Sequence, residues 1–297
     1  MPIKHSFSIL FCNFKLVAKI FVFFLIIVII AGAIMIGIVR PVLNEFFDAL
    51  RSEVNITATD FYEHPILSLK SFADYFSHFV SNNSAEIDVK LVYIWVLVVV
   101  SRFLLTLPLM PVTKILYDKM TSGFDMGLLN ATVSTIAQNL LYSLVSALFV
   151  GTFDLALTVG TCLFFVWAIK VAGPVILPVI LLLVLLVYTL RLCLFSHWLP
   201  ELCASDSKNI FKAFAKSLKP AFSKFVKNFL CLFFLLISTY TLASVSLIPT
   251  VGLVTILCLP IFVTTYAAMS LTLNFSYHQR KYFIDNGVTI YNPVKKY

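Results

Sequence analysis

The sequence predicts an all-α fold: a polytopic transmembrane helical bundle of about six spans, with interfacial amphipathic helices and a short C-terminal β-hairpin. Three observations predict it. Five separate stretches are apolar for long enough to cross a bilayer. Lysine and arginine are divided unevenly among the segments that join them. And no run of about ten residues alternates in polarity as a transmembrane barrel strand would. Composition agrees: 60% of the residues are hydrophobic and 12% charged, whereas an ordinary soluble domain is roughly 45–50% apolar and about 25% charged. A chain this apolar needs lipid as the solvent for part of its surface.

The first span is read over 16–39. Lys4, Lys15 and Lys19 precede it, and Ala31-Gly32-Ala33 mimics a cleavage site. The uncharged run nevertheless continues from Phe21 to Val39. At about 1.5 Å per residue that is close to a bilayer core, and longer than the about 7–15 residues of a signal-peptide core. A retained span is expected. The others are read over 89–109, 174–195, 225–247 and 251–273, the last two joined by the tight turn Ile248-Pro249-Thr250. Ala131–Ala172 holds one crossing or two.

Charge orients the bundle, because cytoplasmic loops are enriched in Lys and Arg. With the N-terminus inside, the outer segment Arg40–Lys90 carries eight acids and four basic residues. Lys114 and Lys119, the six lysines between Ser205 and Asn228, and Arg280, Lys281, Lys295 and Lys296 then all fall inside. That arrangement needs a single crossing within Ala131–Ala172, read as an inner-surface segment over about 130–139 and a span over 140–166. The result is one membrane domain over 1–297, six spans, and both ends cytoplasmic. Two crossings would give seven spans and move the lysine-rich loop outside.

The stretch SDSKNIFKAFAKSLKPAFSKFVKN, an inner amphipathic helix over 205–224 and the start of the fifth span, is the most informative connection. Phe211, Phe214, Leu218, Phe222 and Phe225 recur every three or four residues as an apolar stripe. Lys208, Lys212, Lys216 and Lys219 form another face, and Lys224 and Lys227 follow. Ser205 or Ser207 can cap the start, and Pro220 should kink or divide the helix. Such a helix lies on the membrane surface. There each lysine contributes on the order of 1 kcal/mol toward an anionic inner leaflet. The plain alternative is a positive-inside loop with no lipid preference. The expected partners are therefore membrane lipids, through anionic headgroups on the inner face, with a membrane or envelope protein as a further partner. Nucleic acid is not expected, because a helix pinned to a bilayer by five large apolar side chains presents few lysines to a duplex.

This stretch, the preceding PELCASDS and the tail YHQRKYFIDNGVTIYNP resemble a group of uncharacterised bacterial six-helix membrane proteins. These are similar to the membrane domain found beside some glycerophosphodiester phosphodiesterases. The resemblance covers about residues 107–297. It implies six helices, a basic cytoplasmic helix before the fifth span, and residence in a bacterial cell membrane. A Lys-Gly pair common in that group is replaced here by Lys219-Pro220 and Lys224-Phe225. No phosphodiesterase domain is present, so no catalytic residue carries over.

The outer loop 40–88 shows two amphipathic stripes, Val42, Phe46, Phe47, Leu50 and Val54, then Leu69, Phe72, Phe76 and Phe79, divided by His64-Pro65. Two capping helices are expected. In the tail 276–297, Asn286-Gly287 between β-formers signals a two-residue hairpin turn.

Catalytic and metal-binding motifs are not found, no cofactor is expected, and the six cysteines are read as small apolar side chains. Chemistry is sought instead among charges within spans. Arg102 and Asp154 fall at similar depths and form a candidate intramembrane pair. The alternative is that Arg102 snorkels inward while Asp154 sits near the outer surface. Arg191 is expected to snorkel, and the polar runs Ser134–Asn139 and Ser238–Thr241 to bond neighbouring helices. Two functional readings follow: a non-enzymatic protein that binds or organises lipid or an envelope partner, or a small-solute or ion transporter using Arg102 and Asp154.

Overall fold

The computed structural model describes residues 2–34, 63–82, 84–173, 176–205, 209–245, 254–284 and 290–292, with single positions at 37, 44, 48 and 60. The helices are α1 (Pro2–Cys12), α2 (Phe14–Ile34), α3 (Pro65–Asn82), α4 (Ser84–Thr106), α5 (Leu109–Ser122), α6 (Leu128–Ala172), α7 (Leu177–Ser196), α8 (Trp198–Ala204), α9 (Ile210–Ser223), α10 (Phe225–Val245) and α11 (Val254–Tyr277). Strands β1 (Tyr282–Phe283) and β2 (Ile290–Tyr291) follow. Among the described residues, five helical stretches are long and apolar enough to cross a membrane, or six if the bent pair α9–α10 is one span. The protein is thus a multi-pass helical membrane protein with a small antiparallel hairpin.

Helix α6 is unbroken for 45 residues. At about 1.5 Å per residue it is roughly 68 Å long, more than twice a bilayer core of about 30 Å. An unbroken helix cannot turn back, so it can supply one crossing and no more. The surface segment expected over 130–139 and the span over 140–166 are parts of this one helix. It ends where Gly173 adopts φ +72°, a left-handed conformation that costs glycine nothing, and its N–H reaches the carbonyl of Ile169 at 2.9 Å. Gly123, also at φ +72°, closes α5 in the same way against Lys119.

By packing, the described residues divide into two compact units. One contains Met1–Ile27, Leu104–Leu144 and Leu185–Tyr297. Its centre is α11, in contact with α1, α5, α8 and α10. Leu16, Ile20, Phe24, Leu116, Leu271 and Phe275 share one core there. Helices α1 and α5 lie in segments that sequence reading assigned to connections. Both are too short to span, yet both bury a face: Ser6, Ile9 and Leu10 on α1, and Val112, Ile115, Leu116 and Met120 on α5. Helix α1 is tied to the other end of the sequence. The Ser6 and Thr272 hydroxyls lie 3.2 Å apart, and His5 Nδ1 is 2.7 Å from the Tyr282 hydroxyl. The hairpin pairs Tyr282 with Tyr291 and Phe283 with Ile290, the register that a two-residue Asn286-Gly287 turn would set. The turn itself lies outside the described residues. Tyr282 is buried beside Phe275, so the strands rest on α11.

The second unit contains Val28–Phe103 and Val145–Val184. Helix α3 begins at Pro65, a position where proline's missing N–H costs nothing. Its Ala73 packs with Ala168, Ile169 and Ile180, and Asp74 faces Lys170 at 3.5 Å. The expected stripe Val42–Val54, and most of the outer loop before α3, lie outside the described residues. So does the turn 248–250.

Candidate functional site

The basic helix α9 starts one residue after Asn209, whose side chain accepts a hydrogen bond from the Lys212 N–H at 3.0 Å. Asn209, not Ser205 or Ser207, is therefore the cap. Pro220 does not divide the helix, which runs on through Ser223. A proline removes one N–H donor, and the helix is within a turn of its end. There the Asn228 side-chain amide serves the last carbonyls, donating toward Pro220 O at 3.1 Å and Ala221 O at 3.3 Å. The chain then turns by 96° into α10.

At about 100° per residue, α9 has three sectors. Ile210, Ala213, Ser217, Pro220 and Ala221 are buried against the protein. Phe211 and Phe222 are exposed, at 69% and 60%, with Leu218 half-buried between them. Lys212, Lys216 and Lys219 form a third, exposed sector beside that apolar one. The stripe read from sequence is thus not wholly a membrane face: Phe214 stacks on Phe195 and lies 4.9 Å from Trp198, ring centre to ring centre. Of the other lysines, Lys208 lies outside the described residues. Lys224 and Lys227 reach Ser276, at its carbonyl (3.2 Å) and its hydroxyl (2.9 Å).

Beneath α9 is a buried polar cluster. Trp198 donates to the carbonyl of Ile210, fixing the start of α9 on α8. His197 is fully buried, and its Nε2 accepts from the Asn228 amide at 3.1 Å. Glu201, one turn further on, accepts from Asn274 Nδ2 at 2.7 Å and faces His278 Nε2 at 2.6 Å. Among the described residues, His197 Nδ1 and Asn274 Oδ1 find no hydrogen-bond partner. Of these residues, Glu201 lies in PELCASDS, Asn228 closes the lysine-rich stretch and His278 lies in the tail, whereas His197, Trp198 and Asn274 come from the ends of the flanking helical segments. The sequence offered a signal in two i, i+4 pairs, His197/Glu201 and Asn274/His278, but neither is a two-histidine motif. Among the described residues, no group of three His, Cys, Asp or Glu side chains is placed to hold a metal.

In the second unit, Arg102 Nη1 lies 3.1 Å from Asp154 Oδ2, with the side chains 27% and 21% exposed. Gly151 faces this pair: a Cβ there would sit 3.8 Å from the Arg102 side chain, an ordinary contact distance. Trp95, seven residues before Arg102, donates to Thr152 at 2.9 Å. Arg191 does not snorkel to an aqueous surface as expected. It is 8% exposed, and its guanidinium lies 5.7 Å from the Phe195 ring centre. Of the polar runs, Asn139 bonds across to the Leu107 carbonyl at 2.8 Å, whereas Thr135, Thr239 and Thr241 bond carbonyls of their own helices.

No protein family, curated protein or solved structure matches this chain.

Proposed function

We propose that this is a non-enzymatic membrane protein that binds and organises anionic lipid at the inner leaflet, with α9 as its lipid-contacting element and both ends of the chain cytoplasmic. The observation that carries the reading is the 96° turn between α9 and α10. If α10 crosses the bilayer, α9 lies along its surface. In that pose Phe211 and Phe222 enter the acyl boundary, and Lys212, Lys216 and Lys219 sit among the phosphates, the arrangement of an interfacial helix. The buried third sector fixes the rotation of α9, so the lysines stay in register with the headgroups.

The test has two parts. In intact cells, a membrane-impermeant maleimide should leave Lys212→Cys unlabelled beyond the background of the unsubstituted chain, and should label it after permeabilisation. In detergent, native mass spectrometry should show that Lys212→Gln/Lys216→Gln/Lys219→Gln binds phosphatidylglycerol at its surface site about 100-fold more weakly, from on the order of 1 kcal/mol per lysine. Labelling from the medium, or unchanged retention, refutes the reading.

A second reading, a small-solute or ion transporter, is favoured by one observation: the Arg102–Asp154 pair, at the level of apolar stretches of α4 and α6. A polarity of this kind within a span often marks a pathway.

A further inference from the structure

Where α1 meets α2, a cavity of about 500 Å³ opens between these helices and the end of α5. Ligand sites commonly occupy about 300–1,000 Å³. Three lysines line it, Lys15 and Lys19 from α2 and Lys119 from α5, against one acid, Asp125. The cavity is therefore net positive by two charges. It is also built. Asn13, the elbow residue, is 8% exposed. Its Nδ2 donates to the Ile9 carbonyl at 2.7 Å, closing α1, and its Oδ1 accepts from Lys119 Nζ at 2.7 Å. That holds the largely buried Lys119 ammonium, 12% exposed, at the cavity wall. Asp125 lies 3.7 Å from it, too far for a hydrogen bond, and is itself 75% exposed. It is a loose counter-ion that a stronger anion would displace.

The surroundings specify which anion. Phe11 and Phe14 line the cavity and are 70% and 57% exposed. On α2, Lys15 and Lys19 begin a stripe at helical spacing that continues through Val22 and Ile26, 56% and 54% exposed. From Lys15 to Ile26 is about 16 Å along the helix axis, close to one leaflet of a bilayer core. A stripe that is cationic at one end and apolar for the depth of a leaflet matches a phospholipid, phosphate first.

We infer that this cavity is a specific site for the phosphate headgroup of an anionic phospholipid, whose acyl chain lies along Val22 and Ile26. Lys119, Lys15 and Lys19 bind the phosphate oxygens, and Asp125 is displaced on binding. This site is separate from α9 but shares the inner-leaflet orientation proposed above.

The experiment uses the full chain in detergent, delipidated and titrated with phosphatidylglycerol or phosphatidylcholine, with bound lipid counted by native mass spectrometry. Lys15→Gln/Lys19→Gln should weaken one phosphatidylglycerol site by about 30-fold. Lys4→Gln/Lys281→Gln, exposed lysines that do not line the cavity, should change it less than about threefold. Lys15 and Lys19 are exposed, so their replacement leaves the packing intact. Asp125→Asn, which removes the competing carboxylate, should tighten the same site. Glycerol phosphate and inorganic phosphate, added at the lipid's own concentration, should not displace it. Unchanged affinity in Lys15→Gln/Lys19→Gln overturns the inference, as does equal binding of phosphatidylcholine. Displacement by the soluble phosphates overturns the assignment to lipid. If the α9 variant leaves lipid retention intact while Lys15→Gln/Lys19→Gln loses a site, the α9 reading fails and this one stands.

Discussion

Replacing Arg102 and Asp154 singly and together separates a true ion pair from two independent charges. At 3.1 Å, opposite unit charges attract by about 5 kcal/mol at an effective dielectric of about 20. Both side chains are about three-quarters covered, and the remainder of a transmembrane surface meets lipid, so solvent screening is weak. Arg102→Leu leaves a carboxylate without its partner, and Asp154→Leu leaves a guanidinium. Each should cost about 3–5 kcal/mol, most of it the penalty of stranding a charge. The double substitution strands nothing and should cost less than either single one. The expected coupling is therefore at least about 3 kcal/mol, read from equilibrium unfolding of the purified protein in mixed detergent micelles. Two charges that each reach an aqueous surface would give small effects adding within about 0.5 kcal/mol. Additivity of that kind would refute the pairing argument and, with it, the basis of the transport reading.

Asn228→Ala should destabilise the protein by about 2–3 kcal/mol in the same unfolding assay, because it strands His197 Nε2 and two helix-end carbonyls in a buried site. Tyr282 gives a pH signature. Burial, with Tyr291 beside it, pushes its phenol above the usual range. The folded protein then keeps a proton that the unfolded chain releases near pH 10, so stability is full below about pH 10 and falls as pH rises beyond it. Tyr282→Phe should cost about 1 kcal/mol at neutral pH through the lost contact with His5, and unfolding between pH 8 and 11 should show a shallower alkaline decline.

The spans were legible in the sequence because hydrophobic length is a local property. The core of α2, α7, α10 and α11 reads directly from uncharged runs, and the amphipathic character of α9 from a 3.6-residue period. What was not legible depends on packing. Helix α1 contains Lys4, His5 and Ser6 and is shorter than a span, so nothing local marks it. It is buried by the face that α11 offers. Helix α5 was hidden for the same reason, since its lysines suggested a loop. Glu201 and His278 lie 77 residues apart, and their meeting requires α8 to dock on α11. The cap at Asn209 was missed because serines earlier in the stretch offered the same chemistry. Arg102 and Asp154 were flagged by their depth. Whether they met was open, because depth does not fix the rotation of either helix.

The link from α1 to α11 and β1 sets an order of events during synthesis. His5 and Tyr282 are 277 residues apart. At about 5–20 residues per second, roughly a quarter of a minute to a minute separates the making of one from the other. Through that interval the apolar side of α1, with Ile9 and Leu10, has no docking surface of its own. Helix α1 is thus made well before the helix it packs on, and it settles only once α11 has been made.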